Sequence, residues 1–239
     1  MQERIWQLDF GRAAAVIAMV AFNWQVALDF FGVRAFDATQ GFWWWFARAT
    51  VATFVFIAGA SMWLAVGKHG NKWALMRGAK LFGIGLLITL VTWAFLGKGF
   101  VVFGVLHLIG LSTIIAVPFL RVSSNACLLA GAGIIVAGVW LSSVTFSFPW
   151  LLWLGFVPAG FSSIDYEPLL PWFGVFLLGL WLARVMCERS CDAFRRMQPA
   201  RSPFLAAPVC FLGRHSLAIY LLHQPLLLAT LALLGARPV

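Results

Sequence analysis

Several side chains that exchange protons or carry charge lie inside long apolar runs of this sequence. Histidine takes up and releases a proton near neutral pH, and His107 and His223 each stand among apolar residues. Asp29 and Arg48 stand in neighbouring runs, at opposite ends of one short connection. Because an ionisable group inside a membrane costs about 3 kcal/mol or more, each of these residues is a candidate for a functional site.

Each candidate also has a structural interpretation. Asp29 and Arg48 form either an intramembrane ion pair or two separate side chains that reach the lipid headgroups. His107 follows Gly104 and precedes Gly110, so a neighbouring helix can approach closely and hydrogen-bond to the imidazole.

His223 stands two residues before Pro225, which removes a helical hydrogen bond to the carbonyl of Leu221. The helix is therefore loosened beside the imidazole. A chemical role and a packing role both stay open for this residue.

The composition assigns these side chains to a membrane protein. Of the 239 residues, 62% are hydrophobic and 10% are charged, whereas a soluble domain is about half apolar and a quarter charged. So much apolar surface excludes a nucleic-acid-binding module despite the net charge of +9. Cys187 and Cys191 share a helical face, but no second Cys/His pair completes a metal site.

Hydrophobic runs separated by short charged stretches predict one domain, 1–239, with an all-α polytopic membrane fold of about seven transmembrane helices. We place the spans near 10–30, 42–66, 74–96, 101–120, 126–146, 169–187 and 207–234. The fifth span contains Gly131, Gly133 and Gly138, which suit close helix packing. Residues 146–168 are rich in Trp, Phe and Pro, and we interpret them as an interfacial or re-entrant segment.

Lysine and arginine are divided unequally between the two ends of these spans. The side of the N-terminus holds 13 of the 17 basic residues, and the other side holds Arg34, Arg48, Lys98 and Arg237. Since cytoplasmic loops carry the basic excess, we predict a cytoplasmic N-terminus and an outside C-terminus. The polar residues inside the spans then share the outer half of the bilayer, which is where we expect chemistry.

Five segments, in order along nearly the whole chain, carry a family resemblance. They are 4–12, with Asp9-x-x-Arg12, then 54–61, 103–112, 165–174 and 211–225. Together they resemble the bacterial branch of the heparan-alpha-glucosaminide N-acetyltransferase catalytic-domain family, which is part of a wider group of transmembrane acyltransferases.

The resemblance implies transfer of an acyl group from cytoplasmic acetyl-CoA to an amine or hydroxyl of a sugar-like acceptor, at the bacterial inner membrane and without a metal. An imidazole would act as base or acyl carrier. The implied catalytic residues are His107, His223, Asp29 and Arg48. The implied CoA-binding residues are Arg12, Lys72, Arg77 and Arg214. The implied acceptor-binding residues are Asn23, Asp165 and Tyr166.

The first helix departs from the family pattern. Small bacterial members often have a histidine there, followed several residues later by an aspartate, and Asn23 stands in the place of the histidine. Asparagine cannot act as a general base. Either the chemistry depends on another histidine, or the chain is a catalytically degenerate acyltransferase fold that packs with other transmembrane subunits of a respiratory or photosynthetic complex. A small-solute transporter is a third interpretation, although no matching pair of broken helices supports it.

Overall fold

The computed structural model describes residues 6–189 and 207–235, and most of them are helical. The helices in these ranges are α1 (Trp6–Phe30), α2 (Gly41–Leu96), α3 (Val105–Ile115), α4 (Ser124–Leu141), α5 (Leu169–Arg189), α6 (Ala207–Arg214) and α7 (Ser216–Leu233). Two short parallel strands, β1 (Thr145–Phe146) and β2 (Val157–Pro158), pair in the connection between α4 and α5. Single 3₁₀ turns cover Pro118–Leu120 and Leu152–Leu154.

Within the described ranges, five helices are long and apolar enough to cross a membrane, namely α1, α2, α4, α5 and α7. This agrees with the predicted all-α membrane fold. The number of seven spans and the orientation stay predictions.

Helix α2 has 56 residues and is interrupted by a kink at Gly70. The backbone there has φ 77° and ψ 173°, a conformation that costs a glycine little and strains any residue with a Cβ. The arms on either side, 41–69 and 71–96, cover the second and third predicted spans. The break therefore separates two lengths of helix that can each cross a bilayer.

The fourth predicted span, 101–120, is shorter in the structure. Gly97 and Gly99, with φ 68° and 73°, end α2 and start an extended segment, so α3 begins only at Val105. Helix α3 has 11 residues, and Pro118, which has no backbone N–H, follows it in a 3₁₀ turn. The seventh predicted span, 207–234, is divided into α6 and α7 by the non-helical residue His215.

The chain forms two compact units, one of Met1–Phe54 with Arg195–Val239 and one of Val55–Phe194. In the first unit, α1 packs against α6 and α7. Ala27, Phe31 and Leu231 are buried together where α1 meets α7. At the other end of α1, the Cα of Gly213 lies directly against the backbone carbonyl of Asp9.

In the second unit, glycines let helices touch backbone to backbone. A Cβ on Gly78 would lie 2.8 Å from the carbonyl oxygen of Gly110, and a Cβ on Gly110 would meet the same turn of α2. Gly131 faces the carbonyl of Gly174 in α5. The close approach predicted at Gly110 and along α4 is therefore confirmed, except that a Cβ on Gly133 would meet nothing within 4 Å.

We expect Gly78→Ala to destabilise the protein by about 1–3 kcal/mol, because the added methyl group would overlap backbone atoms of α3. The matched control is Gly83→Ala in the same arm of α2, where a Cβ meets nothing within 4 Å. Alanine favours helix, so the control should be neutral or slightly stabilising. Thermal unfolding of the detergent-solubilised variants measures both, and equal midpoints for the two variants would contradict the contact.

Candidate functional site

His107 caps the N-terminus of α3. Gly104, the residue just before α3, has no side chain that could cap the helix, and its backbone N–H donates to Nδ1 of His107 at 3.2 Å. Nε2 of His107 lies 3.3 Å from Oγ1 of Thr89, which donates in turn to the carbonyl of Val101 at 2.7 Å. The imidazole therefore joins α3, the second arm of α2 and the extended segment between them.

These contacts define the protonation of His107. A backbone N–H can only donate, so Nδ1 holds a lone pair and the proton of the neutral ring lies on Nε2. The rings of Phe82 and Phe103 lie against the imidazole, each with its centroid 5.4 Å away, and the residue is 2% exposed. Both nitrogens of His107 are thus engaged by groups of the protein itself.

The extended segment before α3 is bound by the connection between α4 and α5. Phe103 and Tyr166 form a parallel β-bridge, and the N–H of Glu167 donates to the carbonyl of Phe103 at 2.8 Å. The N–H of Ile164 donates to the carbonyl of Gly99 at 2.9 Å. Residues predicted to be interfacial or re-entrant are therefore held on the start of α3 by main-chain hydrogen bonds.

Asp165 lies at the same helix end as His107. Its carboxylate oxygen Oδ2 occupies the space that a side chain on Gly104 would need. A negative charge is favourable beside a helix N-terminus, where backbone N–H groups have no helical acceptor. The structure thus brings together two predicted site residues that are far apart in the chain.

Tyr166 has a defined partner in the same connection. Its hydroxyl donates to the carbonyl of Leu152 at 2.7 Å, and the ring of Phe161 lies 4.9 Å away. Burial, with a smaller contribution from the charge of Glu167, raises the pKa of Tyr166 to about 12. At neutral pH its hydroxyl is therefore a protonated donor.

In the first unit, Arg12 and Arg214 converge on Asp9. Nη1 of Arg12 lies 2.9 Å from Oδ1 of Asp9, and Nε of Arg214 lies 3.6 Å from Oδ2. Asp9 is only 5% exposed. Two arginines that we predicted as phosphate ligands are therefore organised around one buried carboxylate.

His223 lies in α7 and is half-buried. Its Nδ1 lies 2.7 Å from the carbonyl of Tyr220, one turn earlier. Next to it, Oε1 of Gln224 is buried and has no hydrogen-bond partner among the described residues. This part of α7 therefore combines an imidazole with a vacant amide acceptor.

The remaining predicted residues of this unit have local contacts. Nδ2 of Asn23 donates to the carbonyl of Met19 at 3.0 Å, one turn back in α1. Asp29 is exposed and accepts from the N–H of Phe36 at 3.0 Å. The guanidinium of Arg48 lies 3.8 Å from the ring centroid of Trp44. The ion pair of Asp29 with Arg48 stays a prediction.

Lys72 and Arg77 are exposed on the second arm of α2, just after the break at Gly70. The guanidinium of Arg77 lies 5.1 Å from the ring of Trp73. A small cleft with a cavity volume of about 10 Å³ is lined by Ala58, Met62, Trp73, Arg77, Ile109 and Thr113. Pockets for drug-sized molecules usually measure roughly 300–1,000 Å³, so this cleft has room for little more than a water molecule.

The predicted residues thus fall into two groups. The unit Val55–Phe194 contains Lys72, Arg77, His107, Asp165 and Tyr166, and the other unit contains Arg12, Asn23, Asp29, Arg48, Arg214 and His223.

Asp9 and Thr89 were not among the predicted site residues. The three-residue spacing of Asp9 and Arg12 was a signal for the first, because it places both on one helix face. Nothing in the sequence marks Thr89 as the partner of a histidine 18 positions away.

The family profile described as heparan-alpha-glucosaminide N-acetyltransferase, catalytic, matches residues 4–225. The chain belongs to this family. Searches of curated proteins and of solved structures find no match. Membership indicates a transmembrane acyltransferase. Segments that carry the family resemblance meet in the structure, since Asp9 contacts Arg214 and Phe103 pairs with Tyr166.

We expect His107→Ala to lower the free energy of unfolding by about 2–4 kcal/mol, because it leaves the N–H of Gly104 without its acceptor and opens a cavity. His223→Ala should cost less than about 1 kcal/mol, since that ring is half-buried and touches its own helix. Chemical or thermal unfolding in detergent compares the two variants. A larger loss for His223→Ala would contradict the capping role of His107.

The raised pKa of Tyr166 predicts a loss of stability at high pH. An unfolded tyrosine ionises near pH 10, whereas Tyr166 stays protonated in the folded protein to about pH 12. Its contribution should therefore be complete below about pH 10 and disappear as the pH approaches 12. The unfolding midpoint of wild type should fall relative to that of Tyr166→Phe over this interval. A difference between the two midpoints that does not change with pH would contradict the raised pKa of Tyr166. Lysines also titrate in this range, but they do so equally in both proteins.

Proposed function

We propose that this protein transfers an acyl group from acetyl-CoA to an amine or hydroxyl of a sugar-like acceptor, with His223 as the reacting imidazole. The observation that carries the proposal is the contact between Nδ1 of His223 and the carbonyl of Tyr220 at 2.7 Å. A carbonyl can only accept, so Nδ1 carries the proton and Nε2 keeps its lone pair. No described residue hydrogen-bonds to Nε2, which leaves it available as a base or nucleophile.

The comparison with His107 supports this choice. Both nitrogens of His107 are engaged, and Nδ1 would have to give up the Gly104 N–H before it could take a proton. We therefore propose a structural role for His107, which holds the start of α3 beside the carboxylate of Asp165. The vacant Oε1 of Gln224 adds an acceptor for an N–H or O–H group next to His223.

Two routes use the same nitrogen. In direct transfer, the nitrogen or oxygen of the acceptor bonds to the thioester carbon while Nε2 takes the proton from that atom. The C–S bond then breaks. The CoA thiolate leaves with the proton from the imidazolium. In the covalent route, Nε2 itself bonds to the carbonyl carbon, the C–S bond breaks, and CoA leaves as the thiolate while the ring becomes an acyl-imidazolium. The nitrogen or oxygen of the acceptor then bonds to the acyl carbon, the bond from Nε2 to that carbon breaks, and the proton of the acceptor passes to the thiolate.

The proposal gives the other predicted residues supporting roles. In the unit that contains His223, Arg12 and Arg214 bind phosphate groups of CoA by charge. In the same unit Asn23 contacts the acceptor, and Asp29 and Arg48 supply charge near the reacting groups. The roles of Lys72, Arg77, Asp165 and Tyr166 stay predictions. The donor side is the cytoplasm, and the membrane is the bacterial inner membrane.

We expect His223→Ala to lower the rate of acyl transfer by about 10²–10⁴-fold, the usual contribution of a general base, while the protein stays folded. The measurement follows isotope-labelled acetyl-CoA with purified protein in nanodiscs, using glucosamine as first acceptor. Label that stays on wild-type protein after denaturation and is absent from His223→Ala would identify the covalent route.

His215→Ala is the matched control, because Nδ1 of His215 also lies against a carbonyl of the preceding turn, that of Phe211 at 2.9 Å. Its turnover should equal that of wild type. Unchanged turnover in His223→Ala would refute the assignment. Inactive wild type that copurifies stoichiometrically with a larger complex would favour the structural-subunit interpretation instead.

A further inference from the structure

The carboxylate of Asp9 is a buried charge held between two arginines from opposite ends of the chain. Asp9 is 5% exposed and lies in the first turn of α1, whereas Arg214 is the last residue of α6. Gly213 makes their approach possible, since a Cβ there would overlap the backbone carbonyl of Asp9. An isolated buried carboxylate is costly, so this arrangement depends on the two cations.

The two arginines contact the carboxylate differently. Arg12 makes a hydrogen bond through Nη1 at 2.9 Å, from a side chain that is 25% exposed. Arg214 approaches only through Nε, at 3.6 Å, and its side chain is 48% exposed. No described residue pairs with the two Nη groups of Arg214. Among the described residues, Asp9 therefore approaches Nε of the guanidinium without a hydrogen bond, and the Nη groups keep their donors for a second anion.

We propose that Asp9 is a positioning residue that holds Arg214 to bind a phosphate group of the acyl donor, an inference that rests on the proposed function. Two guanidiniums and one carboxylate leave a net charge of +1 at the site, which attracts an anion. A guanidinium fork matches the oxygens of a phosphate, and one that is already oriented loses less entropy when the phosphate binds.

A purely structural ion network would also place Asp9 between two arginines, and it would predict a loss of stability when Asp9 is changed. Affinity for the donor separates the two roles. If Asp9 acts through Arg214, its removal should weaken donor binding only while Arg214 is present. A structural role would leave the affinity of the folded protein unchanged, or lower it regardless of residue 214.

The experiment measures CoA binding by calorimetry to the full chain in nanodiscs. Arg214→Gln should weaken CoA binding by about 10- to 100-fold, the effect of losing one charge-assisted contact. Asp9→Asn should weaken it by about 3- to 10-fold, and the double variant should bind like Arg214→Gln alone. In acyl transfer, KM for acetyl-CoA should rise by the same factors with kcat within about twofold.

Arg34→Gln is the charge-matched control, since it removes one exposed arginine beyond the opposite end of α1, a helix of 25 residues and about 37 Å. Its CoA affinity should equal that of wild type. If Asp9→Asn fails to fold, Arg214→Gln and the charge-preserving Arg214→Lys still test the phosphate contact, because Arg214 is half-exposed and both variants should fold. Lysine lacks the guanidinium fork, so Arg214→Lys should also bind CoA more weakly than wild type, and wild-type affinity in both variants overturns the inference.

Each contrary result has one meaning. If wild type and Arg214→Gln bind CoA with equal affinity, the inference is overturned and the proposed function still stands. An Asp9→Asn effect that persists in the Arg214→Gln background, or an equal loss in Arg34→Gln, also overturns it. Wild type that neither binds CoA nor releases it from acetyl-CoA refutes the proposed donor, and this inference with it.

Discussion

The structure depends on the requirement that polar groups inside an apolar chain find their partners within the protein. Water cannot satisfy them in a bilayer, and each unpaired group would cost several kcal/mol. Thr50 and Thr53 meet this requirement by donating to the carbonyl four residues earlier. His107 meets it by joining three segments. Asp9 meets it in part: Oδ1 accepts from Arg12, whereas Oδ2 has an ion-pair contact with Arg214 at 3.6 Å and no hydrogen-bond partner among the described residues.

Close helix packing makes these polar contacts possible. Gly78 and Gly110 bring the second arm of α2 and α3 together, and about two turns after Gly78 a Cβ on Gly85 would lie 2.9 Å from the imidazole of His107. The hydrogen bond from His107 in α3 to Thr89 in α2 requires this close approach of the two helices, because neither side chain could span a wider gap. In the other unit, Gly213 does the same for Asp9 and Arg214. Packing and polar chemistry therefore depend on the same small residues.

The two candidate histidines differ because of the main-chain groups beside them. An N–H faces Nδ1 of His107, whereas a carbonyl faces Nδ1 of His223. The first contact makes Nδ1 an acceptor and the second makes it a donor, so the two rings hold opposite tautomers. For His107 the remaining nitrogen is used by Thr89, whereas for His223 no described residue hydrogen-bonds to it. Residue type alone could not separate a capping histidine from a reactive one.

Composition and periodicity were sufficient to predict a helical membrane protein, the two arms of α2, the helices α1, α4 and α5, and the glycine contact at Gly110, because these properties depend on local apolar runs and residue size. Five ordered segments were sufficient to indicate the family. The short length of α3, the division between α6 and α7, and the partners of His107, Asp9 and Tyr166 required the tertiary structure. These features depend on groups far apart in the chain, such as Asp9 and Arg214 or Phe103 and Tyr166, and a hydrogen bond is determined by the neighbour that folding supplies.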